Sequence, residues 1–137
     1  MGLTHLIDTS VLKRLGTAVV RNRVEQMALR GELATVSISE LEVGFSARTA
    51  TEWDDLVGSL NAFHRMATTR EHLSRALQVQ RLLAARSQRG RKLPDLLIAA
   101  AAEQAELIVL HYDADFDRIA AVTGQPCEWV VQAGSID

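Results

Sequence analysis

The tightest constraint in this sequence is the stretch from Leu93 to Asp117, LPDLLIAAAAEQAELIVLHYDADFD. Pro94 presets a helical φ in a first turn, Asp95 follows where the helix macrodipole favours negative charge, and the alanine-rich run beyond it is strongly helix-forming. The pattern predicts a helix from about Pro94 to Ala105. Past Glu106, Leu107-Ile108-Val109-Leu110 has the character of a short buried strand, and it breaks off at His111-Tyr112-Asp113-Ala114-Asp115-Phe116-Asp117. One acid opens a helix and others leave a strand. Carboxylates at the ends of buried elements, with no evident basic partner nearby in sequence, are what a hard divalent cation such as Mg²⁺ asks of its ligands.

The rest of the chain supplies the same arrangement twice more. Leu3-Thr4-His5-Leu6-Ile7 reads as a buried strand and delivers Asp8 at its carboxyl end, with Thr9 or Ser10 able to cap a helix beginning near Val11. A hydroxyl at that turn can also orient a metal-bound water or a phosphate oxygen. For Asp8 the competing role is simply the cap of the next helix. After a helix over Ala18 to Arg30, stopped by Gly31, Ala34 to Ile38 is a second short strand. Ser39 is read as the cap of the helix that follows, so Glu40 falls at the junction, with Glu42 further round the same helix. The competing role for Glu40 is to complement the helix dipole.

Between these blocks the sequence is helical and carries less chemistry. Thr51 to Asp55 forms an acid-rich first turn, Leu56, Leu60 and Phe63 continue an apolar face, and a long helix is expected from about Arg70 to Arg89. These faces are read as core or dimer contacts. His64 and His72 are read as surface or satisfied core residues, and no role is assigned to His5 or His111. Beyond Asp117 the pattern predicts a helix from Arg118 to Val122, closed by Gly124, and a last strand from Glu128 to Val131.

Composition sets outer limits. With 137 residues and 47% hydrophobic content, the chain is expected to be a single domain, 1–137, with one core. Its formal net charge of −2 offers no global field for a polyanion, so nucleic-acid binding needs a local patch. Arg86, Arg89, Arg91 and Lys92, gathered around Gly90 just before Asp95, form such a patch, because guanidinium groups pair with phosphate oxygens. A solvated loop is the alternative. Cys127 is the single cysteine, which excludes an internal disulfide framework and suits a reducing cytoplasm. No apolar run approaches the roughly 20 residues of a membrane span, and the first residues lack a signal-peptide pattern, so a cytoplasmic protein with no membrane association is expected.

Three apolar strands each followed by an acid, alternating with helices, predict an α/β fold whose site lies at the carboxyl ends of parallel strands. Asp8, Glu40 and Asp113 would share that edge, with Asp95 at a helix start. Carboxylates crowded together raise one another's pKa unless a cation intervenes. A calcium loop is excluded at Asp113 to Gly124, because Arg118 stands where glycine is needed and Gly124 where a bidentate Glu belongs. The absence of a glycine-rich phosphate loop counts against a P-loop or dinucleotide enzyme.

The segments LIDTSVL (Leu6 to Leu12), SISELEVG (Ser37 to Gly44), LPDLLIAAAA (Leu93 to Ala102) and LHYDADFDRIA (Leu110 to Ala120) resemble, in order and spacing, the four signature blocks of PIN-domain ribonucleases, specifically VapC toxins. The resemblance spans nearly the whole chain. It implies a PIN fold, a central parallel β-sheet flanked by α-helices, and a Mg²⁺- or Mn²⁺-dependent endoribonuclease of a toxin-antitoxin module. It further implies inhibition by a cognate VapB antitoxin, a homodimer, and a toxin-antitoxin hetero-oligomer. Carried over by position, the acidic quartet falls on Asp8, Glu40, Asp95 and Asp113, with Asp115 sharing or replacing Asp113, and no histidine base is required. Structured RNA such as tRNA, or mRNA, is the implied substrate. Two other classes stand beside this reading: an inactive PIN-like module that binds RNA or protein, and a metal-dependent phosphohydrolase acting on small molecules.

Overall fold

Leu6 and Ile7 are both fully buried, yet they belong to two different apolar clusters, and so do Val109 and Leu110. Successive side chains of a strand point to opposite faces, so strands buried on both sides must lie between two layers of helices. The computed structural model describes residues 2–88 and 92–137 and has this form. The strands are β1 (His5–Ile7), β2 (Leu33–Val36), β3 (His64–Met66), β4 (Ile108–His111) and β5 (Cys127–Trp129), and every pairing is parallel. Their order across the sheet is β3-β2-β1-β4-β5, which puts β1 at the centre.

The helices are α1 (Thr9–Leu12), α2 (Ala18–Leu29), α3 (Ser37–Phe45), α4 (Ala50–Gly58), α5 (Arg70–Ala85), α6 (Leu93–Gln104) and α7 (Asp115–Thr123). One cluster joins Leu6, Val36 and Val109 to α5, α6 and α7. The other joins Ile7, Leu33 and Leu110 to α1 and α2. Ile98 and the four alanines from Ala99 to Ala102 are all buried, so α6 is apolar round most of its circumference and packs deep in the molecule. Gly124 closes α7 with φ 75, a left-handed backbone that other residues adopt at a cost.

Phe116 on α7 is fully buried in the first cluster. Phe116→Ala is expected to cost about 3–5 kcal/mol through lost burial and the cavity left behind, read as a lower urea midpoint at unchanged slope.

The parallel α/β architecture and the helix beginning at Pro94 are as the sequence predicts, while several boundaries differ. β2 ends at Val36 and α3 starts at Ser37, with Val36 rather than Ser39 at the cap position. Ser39 is buried inside the helix. β3, in a region read as helical, is three residues long with two of them exposed, which leaves no apolar run to detect. α5 ends at Ala85 rather than Arg89, and α7 begins three residues before Arg118. Among the described residues no helix is long and apolar enough to cross a membrane.

Candidate metal centre

The parallel sheet sends its central strand β1 and the neighbouring β4 out at one edge; Asp8 follows β1 directly, and Asp113 stands two residues past the end of β4. Asp8 is 2% exposed and Asp95 3% exposed, burial that is rare for carboxylates without partners. Both line one cleft of about 470 Å³, together with Asp113 and Glu42. The expected convergence of distant acids is therefore present for Asp8, Asp95 and Asp113.

Local backbone geometry aims these groups. Asp8 does act as the cap of α1, its Oδ2 accepting the Ser10 N–H at 2.9 Å, but the cap occupies only one of its oxygens. Ser10 Oγ accepts the Tyr112 N–H at 2.9 Å, tying the turn after β1 to the turn after β4. Asp113 is fixed from three sides. Its own N–H donates to His111 Nδ1 (3.2 Å), its Oδ1 accepts the Asp115 N–H (2.9 Å), and its Oδ2 accepts from Lys92 Nζ (3.1 Å). Asp95 sits in the first turn of α6, where Pro94 and the macrodipole favour it.

Two buried carboxylate oxygens, Asp8 Oδ1 and Asp95 Oδ2, have no hydrogen-bond partner among the described residues. Leaving charged acceptors buried and unmatched is costly, and a cation is the partner such oxygens fit. Ligand atoms of Asp95, Asp113 and Asp115 lie within 4.8 Å of one another. Asp115 thus joins the cluster instead of replacing Asp113, while also pairing with Arg118 at 3.3 Å. Asp8 stands outside that trio but lines the same cleft as its members Asp95 and Asp113. This donor set, all hard oxygen, suits a hard divalent cation.

Electrostatics carry the mark of crowding. Burial, then the neighbouring Asp8 and Asp113, push the Asp95 carboxyl up to about 8. Asp8 is also raised, by burial first, against the N–H groups of Ser10 and Thr9 that lower it. Burial raises Asp113 too, but the Asp115 N–H and the Lys92 ammonium outweigh it and leave the group below its ordinary value. Burial lowers His111 and keeps the ring neutral, in line with its acceptor role toward Asp113.

Glu40 is not part of this constellation. It pairs with Arg65 of β3 and does not line the cleft. Glu42 takes the position instead. Two residues on a helix are about 200° apart, so Glu40 and Glu42 face opposite ways, and only one can look toward Asp8. Glu42 Oε1 accepts from the Thr9 hydroxyl at 2.8 Å, and burial followed by Asp8 raises its carboxyl. With α3 beginning at Ser37, the phase of the helix selects Glu42. A helix capped at Ser39, as the sequence suggests, puts Glu40 at the junction and leaves Glu42 without a role.

Of the basic patch, Arg89 and Arg91 lie outside the described residues. Arg86 is exposed at the C-cap of α5, and Lys92 holds Asp113 at the cleft rim. Lys13 and Arg14, not singled out by sequence, add positive charge to the cleft wall.

Residues 5–122 match the family described as PIN domain. The chain is 61% identical to Ribonuclease VapC51 of Mycobacterium tuberculosis over 137 residues, covering 100% of both chains. It is 38% identical to Ribonuclease VapC18 of the same organism, covering 98% of this chain and 100% of that one. Among solved structures, the DNA-bound VapBC complex from Salmonella typhimurium matches with a TM-score of 0.77 at 17% identity, over 94% of this chain and 99% of that chain.

Proposed function

This chain belongs to the PIN-domain family, among its VapC ribonucleases, and from that premise we propose that it is the toxin of a type II toxin-antitoxin module, a Mg²⁺- or Mn²⁺-dependent endoribonuclease restrained by a VapB antitoxin. The observation that carries the reading is the pair of buried oxygens on Asp8 and Asp95 that have no hydrogen-bond partner among the described residues, in one cleft lined also by Asp113 and Glu42. An inactive binding module gains nothing from that arrangement, since the repulsion it stores is useful only when a cation relieves it.

Asp8, Asp95 and Asp113, with Asp115, are the carboxylates that would hold the ion. When bound, the ion lowers the pKa of a water and offsets charge building on the phosphoryl oxygens. Glu42, held by the Thr9 hydroxyl and with its carboxyl raised by burial, would take the proton of the attacking water. Water adds to phosphorus, the bond to the ribose oxygen breaks, and the leaving oxygen is protonated from solvent. Lys92 fixes Asp113 and, with Arg86, Arg89 and Arg91, supplies charge for the RNA backbone, the substrate being structured RNA such as tRNA, or mRNA. Such an activity belongs in the cytoplasm, where that RNA is. A homodimer completes the reading, supported by the apolar groove between α5 and α6 where Leu73, Leu77 and Leu93 stand exposed.

The direct test is cleavage of a total RNA pool by the purified chain with Mg²⁺ or Mn²⁺. Cleavage that stops with EDTA and returns with metal is expected; cleavage indifferent to EDTA, or none with either metal, would overturn the reading. A second measurement separates the two glutamates. Glu42→Gln is expected to slow cleavage by about 100-fold, as loss of a general base does, whereas Glu40→Gln changes it less than about threefold and removes only a partly exposed ion pair.

A further inference from the structure

The segment following β5 returns to the cleft, where Gly134 and Asp137 line it and Asp137 meets Arg14. Arg14, two positions past the end of α1, lines the cleft with Asp8, Asp95 and Asp113. Its Nε donates to both carboxylate oxygens of Asp137, at 3.2 and 3.1 Å, and its Nη2 stands 3.0 Å from Oδ2. A carboxylate in a cleft walled by other carboxylates is repelled by them, so its presence there reports on the guanidinium. The geometry points to Arg14 as a binding residue for a phosphodiester of the RNA backbone, one that Asp137 covers in the free chain. This inference rests on the RNA reading given above.

Three features support it. The guanidinium is held in place independently of Asp137: Nη1 donates to the Ser10 carbonyl at 2.7 Å, and the group lies over the Tyr112 ring at 4.7 Å from its centroid. A guanidinium that donates from Nε to both carboxylate oxygens of Asp137, with Nη2 in ion-pair contact with one of them, can offer the same N–H groups to two phosphate oxygens. Asp137, by contrast, is loosely kept, its side chain 57% exposed against 25% for Arg14. Exposed ion pairs contribute little to stability and are screened by salt, so an incoming phosphate displaces this one readily.

Tyr112 links the two states. Its ring supports Arg14, and its hydroxyl donates to the Ile136 carbonyl at 2.6 Å while accepting the Ile136 N–H at 3.2 Å. The residue before Asp137 is therefore anchored, and rotation of the Asp137 side chain alone uncovers the fork. The covered arginine is a phosphate subsite opposite the acids that would hold the ion, with its own stand-in anion attached.

The test uses the full chain carrying Asp95→Asn, so that RNA stays intact, with Mg²⁺ and a labelled single-stranded RNA followed by fluorescence anisotropy. Asp137→Asn is expected to tighten binding by about threefold, the scale of an exposed pair. Arg14→Gln is expected to weaken it by about tenfold, the scale of a charge-assisted contact. In the double variant the gain from Asp137→Asn disappears, because Asp137 acts only through Arg14. Equal tightening with and without Arg14 would reflect net charge alone and overturns the inference, as does unchanged binding in Arg14→Gln or no RNA binding in any variant. Should Arg14→Gln fail to fold, Arg14→Met keeps an unbranched stem of similar reach without the charge, and the gain from Asp137→Asn should still be lost. Cleavage by the otherwise unmodified chain is scored in parallel. Absent cleavage with these binding changes intact defeats the nuclease reading and leaves the phosphate site standing; cleavage without the binding changes does the reverse.

Discussion

An Asp95→Asn chain is expected to lose RNA cleavage by at least about 100-fold while melting at a higher temperature than the unmodified chain in metal-free buffer at pH 8. The two effects have one cause. Asp95 is buried, its Oδ2 is unmatched among the described residues, and burial together with Asp8 and Asp113 pushes its carboxyl up to about 8. Asparagine has nearly the same shape and no charge. It removes a ligand that the ion needs and, with the ion absent, removes a repulsion that the fold tolerates. A rise of at least about 3 °C corresponds to roughly 1 kcal/mol in a domain of this size. A residue kept for structure would behave in the opposite way, so a lower melting temperature with cleavage retained would remove Asp95 from the site. Asp8→Asn should lose cleavage as severely, with a smaller thermal gain, because its Oδ2 also caps α1.

The second large effect is a reversal of pH dependence by metal. A carboxyl whose folded pKa lies above its unfolded value favours the protonated fold, so the stability it contributes is full below the unfolded pKa and is lost as pH rises through the folded one. For Asp95 that window runs from 3.8 to about 8. Asp8 and Glu42, both raised, act in the same direction. His111 opposes them: its pKa is lowered from 6.5, so the stability tied to its neutral ring is lost as pH falls below that value. Asp113, lowered from 3.8, matters only in more acid solution. Between pH 6.5 and 8 the raised carboxyls act unopposed, and the metal-free chain is expected to lose thermal stability across that interval.

Saturating Mn²⁺ or Mg²⁺ should abolish or invert this trend. The ion binds ionised carboxylates, so binding expels the proton that Asp95 retains, and affinity should rise about tenfold per pH unit until pH 8 is passed. The readout is the metal-induced shift in melting temperature, which should be clearly larger at pH 8 than at pH 6.5. A metal-free melting temperature that is flat or rising over the same interval would mean that Asp8, Asp95 and Asp113 do not repel one another as their burial implies.

Much of this molecule is local, and local features are legible in a sequence. The start of α6 follows from Pro94 and Asp95, and its depth in the fold from the alanine run. The buried strands β1 and β4 follow from short apolar runs, and the positions of Asp8 and Asp113 follow from where those runs stop. Propensity, capping and apolar pattern act over a few residues and need no partner to be read. The four ordered blocks then tie these pieces to one family, which the match over residues 5–122 bears out.

What remained for the tertiary structure is whatever depends on phase or on distance along the chain. A start at Ser37 instead of Ser39 turns α3 so that Glu42 meets Thr9 and Glu40 meets Arg65, because each residue advances a helix by about 100°. No propensity distinguishes these two glutamates; only the packing of α3 against α1 does. β3 lacks an apolar signature and exists because β2 offers it a free edge. The meeting of Arg14 with Asp137 spans 123 positions of sequence, and a contact of that kind is set by where the sheet sends its strands, not by the residues on either side of it.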